Sequence, residues 1–147
     1  MKVNYPKYAI VFLFFVFCSN LGLTQSKNDG WESGSEFNNL FNTKTIDTLS
    51  GEIVSIDSVQ PGKGMCFGIQ VVVKTKTETA TVILCPTWFT QCLNICLKAN
   101  DKIEIEGSRV VYNGKPIIIA QKIISNRIIL QMRNSKGVPI WDYLRRG

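Results

Sequence analysis

Residues 79–112 read TATVILCPTWFTQCLNICLKANDKIEIEGSRVVY, and this pattern places one short helix between two strands. The first seven residues are mostly apolar or β-branched, which is typical of a buried strand. Pro86 suits the first turn of a helix, and apolar residues follow it at helical spacing, at Phe89, Leu93 and Leu97. The charged and apolar residues that come next alternate, as they do in a strand with one face in solvent.

The segments around this helix complete an order of strands that is typical of a small barrel. Three β-patterned stretches come before or up to the helix, at residues 46–59, 65–75 and 79–85. After the helix, a turn at Asn113-Gly114 joins a fourth strand to a fifth. The order predicts an all-β protein with a five-stranded OB-fold, a Greek-key barrel with one short helix between strands 3 and 4. A last strand-like stretch follows at residues 127–133.

The N-terminal residues 1–25 are predicted to form a signal peptide, so the protein is expected in the periplasm or outside the cell. Lys2 and Lys7 precede an uncharged run from Tyr8 to Phe17, which is too short to span a bilayer as a helix. Two alternatives stay open. The leader could remain as an uncleaved anchor, or Cys18 could carry a lipid, and only these routes would hold the chain at a membrane.

Three further parts follow the leader. Residues 26–44 are rich in Ser, Asn, Gly and Asp and predict a flexible N-terminal arm. Its aromatic residues, Trp31, Phe37 and Phe41, could dock back on the domain. The OB-fold domain itself is expected over 45–141, and a basic C-terminal tail over 142–147.

Four cysteines remain once Cys18 leaves with the leader, and these are the disulfide candidates: Cys66, Cys85, Cys92 and Cys96. An even number in an exported protein favours disulfides over free thiols. A turn at Thr75-Lys76 would place the first two opposite each other on neighbouring strands, and a register slip of two residues would place Gly68 opposite Cys85 instead. The last two have helical spacing. Metal binding, a redox role and unpaired core thiols stay open. Haem attachment through Cys-x-x-Cys-His is excluded because the chain has no histidine.

Five segments carry a resemblance to known proteins: GEIVSID (51–57), PGKGMCFGIQVVVKT (61–75), ILCPTWF (83–89), GSRVVYNGKPIIIAQKI (107–123) and RNSKGVPIW (133–141). They resemble small exported bacterial OB-fold proteins, similar in layout to the periplasmic bacterial OB-fold (BOF) stress-protein family. The most specific pieces are the Gly-x-Pro-x-Trp ending at Gly137, Pro139 and Trp141, and the step from Gly107 to Arg109. The resemblance implies a periplasmic or surface location and a binding role, with no established catalytic residues.

The net charge of the chain is +6, and its C-terminal part is the most basic. This asymmetry fits either an anionic partner or ordinary solvated strand faces. The predicted ligand-binding residues are Lys63, Trp88, Arg109 and Lys115, where the cations would neutralise an anion and the indole would stack on it. No catalytic residue, metal ligand or cofactor is predicted.

The sequence therefore predicts an exported, non-enzymatic OB-fold binding module for an envelope protein or for a small or anionic ligand. One alternative is a cysteine-based metal-binding or redox protein. Another is an oligonucleotide-binding OB domain. Nucleic-acid binding is disfavoured because single-strand readers use exposed aromatic residues on such strands, and here Phe67 is the only aromatic residue in strands two and three.

Overall fold

The computed structural model describes residues 29–89, 97–126 and 128–145. Within them the chain forms six strands: β1 (Ile46–Val59), β2 (Gly68–Lys74), β3 (Thr79–Pro86), β4 (Lys102–Tyr112), β5 (Lys115–Ser125) and β6 (Ile128–Gln131). Two short 3-10 helices, Asn38–Leu40 and Thr43–Thr45, precede β1. Helix α1 (Trp141–Arg145) lies near the C-terminus.

Strand β1 is the centre of the sheet because its two halves pair with different neighbours. Its first half lies antiparallel to β4, and its second half lies antiparallel to β2. The register shifts between Ile53 and Ser55, where the strand changes partner. Such a bulge bends a strand and increases its twist, so one long strand can serve two neighbours. The strand order is β3-β2-β1-β4-β5-β6, and a short parallel pairing joins β3 back to β5.

The predicted all-β class is confirmed, since strand pairing is antiparallel everywhere in the described residues except between β3 and β5. The described part holds six strands rather than the five predicted for the barrel. The additional strand is β6, which comes from the strand-like stretch at 127–133 and pairs with β5. The predicted helix between strands 3 and 4 begins with helical residues 87–89, and most of its expected length lies outside the described residues.

Burial along the strands explains their different sequence patterns. Strand β3 is buried on both faces from Val82 to Pro86, so its sequence is continuously apolar. Strand β4 alternates instead: Ile103 and Ile105 are buried, whereas Glu104 between them is exposed. The hydrophobic core therefore lies against one face of β4, and both faces of β3 are covered.

The segments before β1 and after β6 pack against each other on the sheet. Trp31 is fully buried, and its Nε1 donates a hydrogen bond to the carbonyl oxygen of Cys66 at 2.8 Å. Trp141 is also fully buried, and its Nε1 donates to the carbonyl oxygen of Trp31 at 2.7 Å. Phe37 contacts Trp31 edge to face. The described portion of the predicted arm 26–44 thus contributes two aromatic side chains to the core.

The leader predictions fall on residues that are not described. The signal peptide 1–25 and Cys18 both lie outside the described ranges. In the ranges that are described, no helix is both long and apolar enough to cross a membrane.

The predicted register that places Cys66 opposite Cys85 is wrong. In the β2–β3 hairpin, Cys85 pairs with Ile69, and Cys66 lies before β2 begins. One cause is the turn, because Lys74 pairs with Thr79 and the connecting loop is longer than the two residues expected. The other is a register shift between Ile69 and Gln70, which moves Cys85 one residue further along β2. Cys66 is exposed, Cys85 is buried, and neither is in a disulfide. The other two candidates, Cys92 and Cys96, lie outside the described residues.

Candidate functional site

A groove opens where β3 and β5 separate, and it is called the seam groove below. The two strands pair at only two positions, Val82 with Ile118 and Ile83 with Ile119. Both strands begin three residues earlier, at Thr79 and at Lys115. Their first residues enclose a groove of about 540 Å³, which is lined by residues 78–81, 109–111 and 115–118. The groove therefore follows from incomplete pairing along the seam of the sheet.

The seam groove combines aliphatic side chains with a few charges. Val110, Val111 and Ile117 line it together with Pro116. Val111 is 67% exposed, a high value for a valine within a strand. The groove thus offers a small apolar surface centred on Val111, with charged side chains beside it.

Arg109 lines the seam groove, and each of its three guanidinium nitrogens donates a hydrogen bond to a carboxylate. Nε donates to Oδ2 of Asp47 at 2.8 Å, whereas Nη1 and Nη2 donate to the two carboxylate oxygens of Glu78. The hydrogen bonds from Arg109 lower the pKa of both carboxyl groups. Those to Glu78 and then to Asp47 raise the pKa of the arginine. The predicted free cation at Arg109 is therefore an arginine whose three nitrogens all have partners.

Lys115 is the second cation of the seam groove, and its position is different. Its side chain is exposed at the start of β5. Among the described residues, no carboxylate forms an ion pair with it. Lys115 is thus a cation of this groove that can meet an incoming negative charge without losing an existing partner.

Lys63 lines a different groove, of about 440 Å³. This second groove lies between the β1–β2 loop, the β4–β5 turn and the segment before β1. Glu32 and Glu36 line it as well, so acidic groups accompany the lysine there. The structure therefore separates Lys63 from Arg109 and Lys115.

Trp88 lies in neither groove. It contacts both ends of the described chain instead. Its Nε1 donates to Oδ2 of Asp29 at 3.1 Å, and the guanidinium carbon of Arg145 lies 5.1 Å from the centroid of its ring. Burial alone would raise the pKa of Asp29, but hydrogen bonds from Arg145, from the Trp31 amide and from Trp88 lower it overall. One face of the indole is covered by Arg145, which reduces the area available for stacking.

Two of the four predicted ligand-binding residues thus share one groove, and two lie elsewhere. The residues that the sequence analysis missed there are Glu78, Val111 and Ile117. They come together only through the parallel contact between β3 and β5, which joins strands that are distant in the chain. Glu78 is the one acid in the sequence KTKTE and lies directly before β3. Its charge at the start of a strand was the feature of the sequence that could have indicated a site residue.

The Cys85 thiol is buried and unsuited to thiol chemistry. Burial raises the pKa of the Cys85 thiol to about 12, and the nearby Arg133 offsets this only in part. A thiol in that state is a poor nucleophile and a poor ligand. Over residues 29–89, 97–126 and 128–145, no three His, Cys, Asp or Glu side chains are arranged to hold a metal ion.

Comparison with known proteins places the strands in a family. The family model described as "MamS/MamX magnetosome protein family" matches residues 45–130. This span runs from the start of β1 to within β6 and includes the whole seam groove. No curated protein matches the chain. The match gives a family, whereas the resemblance to the BOF family stays a prediction.

Proposed function

This chain belongs to the MamS/MamX magnetosome protein family, and from that premise we propose that it is a non-enzymatic binding module of the cell envelope. Its partner is an extended segment of another envelope protein, which lies in the seam groove. The leader-like residues 1–25 support the envelope location, since they have the layout of a signal peptide. The single observation that carries the binding role is the open edge between β3 and β5.

We propose further that the first five strands form an OB-type barrel to which β6 is added. Two features of the pairing support this. β1 pairs with both β2 and β4, and the parallel β3–β5 contact joins the two ends of that set of strands. OB-folds are partly open five-stranded barrels that act as binding platforms. The seam groove is then the opening of the barrel.

An extended peptide suits this opening because β3 and β5 border it with free backbone edges. On the side away from the groove, both strands already have neighbours: residues 79–81 of β3 pair with β2, and residues 115–117 of β5 pair with β4. On the side that faces the groove, residues 79–81 and 115–117 have no strand partner within the described residues, and pairing begins only at Val82 and Ile118. A guest strand would satisfy these groups, as in other cases of strand addition to a sheet. Pro116 has no N–H, so β3 offers the better edge for the guest.

The charges favour a protein segment over a small free anion. A small anion would be attracted mainly to Lys115, because the carboxylates of Asp47 and Glu78 already balance the charge of Arg109. An extended segment could instead bury apolar side chains on Val111 and Ile117 and place one acidic residue near Lys115. The expected guest is therefore an alternating apolar sequence with at least one carboxylate.

The test is a selection of linear peptides on the purified full chain. A phage-displayed library of peptides of about twelve residues is expected to yield extended, alternating sequences. Binding of the selected peptides is then measured by fluorescence anisotropy for the wild type and for Val111→Asp. Ile129→Asp is the matched control, because Ile129 is 64% exposed on β6 and lies outside the groove.

Val111→Asp is expected to weaken binding at least tenfold, because it places a charge where an apolar side chain must be buried. Ile129→Asp is expected to bind like the wild type. A library that yields no binding peptide, or peptides that bind Val111→Asp and wild type equally, would contradict the proposed function.

A further inference from the structure

We infer that β6 pairs antiparallel with β6 of a second copy of this chain, so that the protein associates as a weak symmetric dimer. Strand β6 (Ile128–Gln131) stands last in the sheet, and within the described residues its only strand partner is β5. Its other edge can therefore pair with a further strand, as sheet edges commonly do. This edge lies outside the seam groove, so the inference does not rest on the proposed function.

Strand β6 lacks the features by which proteins usually protect an edge. Charged side chains, prolines and bulges are the common protections. The sequence IILQ has no charge and no proline, and its pairing with β5 is regular over all four residues. Ile128 is 56% exposed and Ile129 is 64% exposed. Because neighbouring residues of a strand point to opposite faces, both faces of this edge offer an apolar side chain to a partner.

The sequence of β6 is complementary to itself in one antiparallel register. With a two-fold axis through Ile129, this residue faces its own copy, and Ile128 faces Leu130 of the second copy. Side chains of directly paired residues lie on the same face, so each exposed isoleucine gains an apolar neighbour. An axis through Leu130 would instead place Ile129 opposite Gln131 of the second copy. The apolar pairs therefore favour the register centred on Ile129, and a second copy of the chain supplies all of them.

On one face of the sheet, this register continues the hydrophobic core. Leu130 pairs with Ile123, and Ile123 pairs with Ile105. Both of these isoleucines are fully buried. Ile128 of the second copy would extend this row by one residue, where its side chain leaves solvent.

On the opposite face, the register forms an apolar strip across the axis. Ile129 pairs with Ile124, so each copy contributes two isoleucines to the strip. The next residue in the row is Glu104, which pairs with Ile124 on the side away from β6. The two copies of Glu104 would thus be kept apart by the strip, and no like charges meet at the axis.

The size of the contact sets its strength. Stable dimers bury on the order of 1,600 Å² in total, and an edge of four residues buries considerably less. We therefore expect reversible association with a Kd on the order of 10–100 µM.

Sedimentation velocity of the full chain over a wide range of concentrations measures this association. Ile129→Asp is expected to raise the Kd at least tenfold, because it places two carboxylates opposite each other at the axis. Val111→Asp is the matched control, since Val111 is 67% exposed and lies on β4 rather than on β6. This control is expected to associate like the wild type.

Disulfide trapping tests the register itself, with oxidised glutathione as the oxidant. Ile129→Cys is expected to give a disulfide between the two copies of position 129, since directly opposed Cβ atoms lie about 4.5–5.5 Å apart. Gln131→Cys is the control, because the two copies of position 131 would be about 13 Å apart along the strands. Mass spectrometry of the digested proteins distinguishes these linkages from those of the native cysteines.

A wild type that remains monomeric at every concentration would overturn the inference. So would Ile129→Asp that associates like the wild type, or a disulfide that forms as readily in Gln131→Cys as in Ile129→Cys. These results leave peptide binding in the seam groove intact, whereas failure of the proposed function appears as equal peptide binding by Val111→Asp and wild type.

Discussion

Burial of Arg133 lowers the stability of this fold. Its side chain is fully buried, and none of its three guanidinium nitrogens has a hydrogen-bond partner among the described residues. Phe41 and Trp141 stack on it, with the guanidinium carbon 5.5 Å and 5.0 Å from the two ring centroids. Burial lowers the pKa of Arg133 to about 9, because the charged form loses its hydration. The aromatic rings therefore replace only part of the favourable interaction that water would make with the charged guanidinium.

Arg133→Met is expected to raise the free energy of unfolding by about 1–3 kcal/mol, because a buried charge without hydrogen-bond partners among the described residues is replaced by an apolar side chain of similar length. Urea denaturation measures the difference. Arg109→Met is the control at a partly exposed arginine, and a change below about 1 kcal/mol is expected there. A clear loss of stability in Arg133→Met would show that the contacts with Phe41 and Trp141 outweigh the cost of burying the charge.

The β2–β3 hairpin shows why registers are hard to read from a sequence. The turn is closed by Thr75, whose amide donates to the Glu78 carbonyl oxygen at 2.8 Å. Its Oγ1 also accepts from the amides of Thr77 and Glu78 at 3.2 Å and 3.0 Å. A threonine hydroxyl that bonds to the backbone ahead of it can stabilise a longer turn than the two-residue loop assumed from the pattern. The longer turn moves every pair in the hairpin and removes the predicted contact between Cys66 and Cys85.

Thr75→Ala is expected to lower the free energy of unfolding by about 1 kcal/mol, because the turn loses the hydrogen bonds of its hydroxyl group. Thr77→Ala is the control, since the Thr77 hydroxyl makes only a 3.5 Å contact with Thr75. Urea denaturation of the two variants checks the difference. Equal effects would mean that the Thr75 hydroxyl does not determine the stability of the turn.

Strand existence was easier to predict than strand assembly. The alternating and continuous apolar patterns located β1 to β5 and also the stretch that forms β6, because burial on one face or on both leaves a direct trace in sequence. Arg109 and Lys115 were predicted as site residues from their charge alone. Lys63 was predicted on the same basis and Trp88 for the stacking area of its indole, but both lie elsewhere, because their positions depend on loops and on the segment before β1. Neither the loops nor the segment before β1 has a periodic sequence pattern.

On the scale of the whole molecule, the two ends of the described chain fasten to each other. Asp29 accepts hydrogen bonds from Arg145, Trp88 and the Trp31 amide. Asp142 accepts from the amide of Ser33 at 3.0 Å. Both segments lie outside the span that the family model matches, 45–130. The aromatic residues of 26–44 indicated from the sequence that this segment could dock, and Trp31 and Phe37 are buried. The hydrogen bonds of Asp29 and Asp142 left no pattern in the sequence.

The link through Asp29 makes stability sensitive to acid. The pKa of Asp29 is lower in the folded protein than its usual value of 3.8, so its contribution is complete above that value. The contribution is lost as the pH falls through the lower folded pKa. Asp29→Asn is expected to be less stable than the wild type at pH 6, with a smaller loss of stability on acidification to about pH 2.5. Identical pH dependence of urea unfolding in the two proteins would show that Asp29 does not anchor the ends.

Amide hydrogen exchange with a selected peptide bound tests the seam groove most directly. Those backbone amides of residues 79–81, Lys115 and Ile117 that point toward the seam are expected to exchange more slowly when the peptide is present, because they gain hydrogen-bond partners. The alternate amides already point toward β2 or β4 and are expected to change little. Residues 62–65 and 112–113, around the second groove, are expected to exchange at unchanged rates. Protection that appears only around the second groove, or no protection at residues 79–81, would contradict the account.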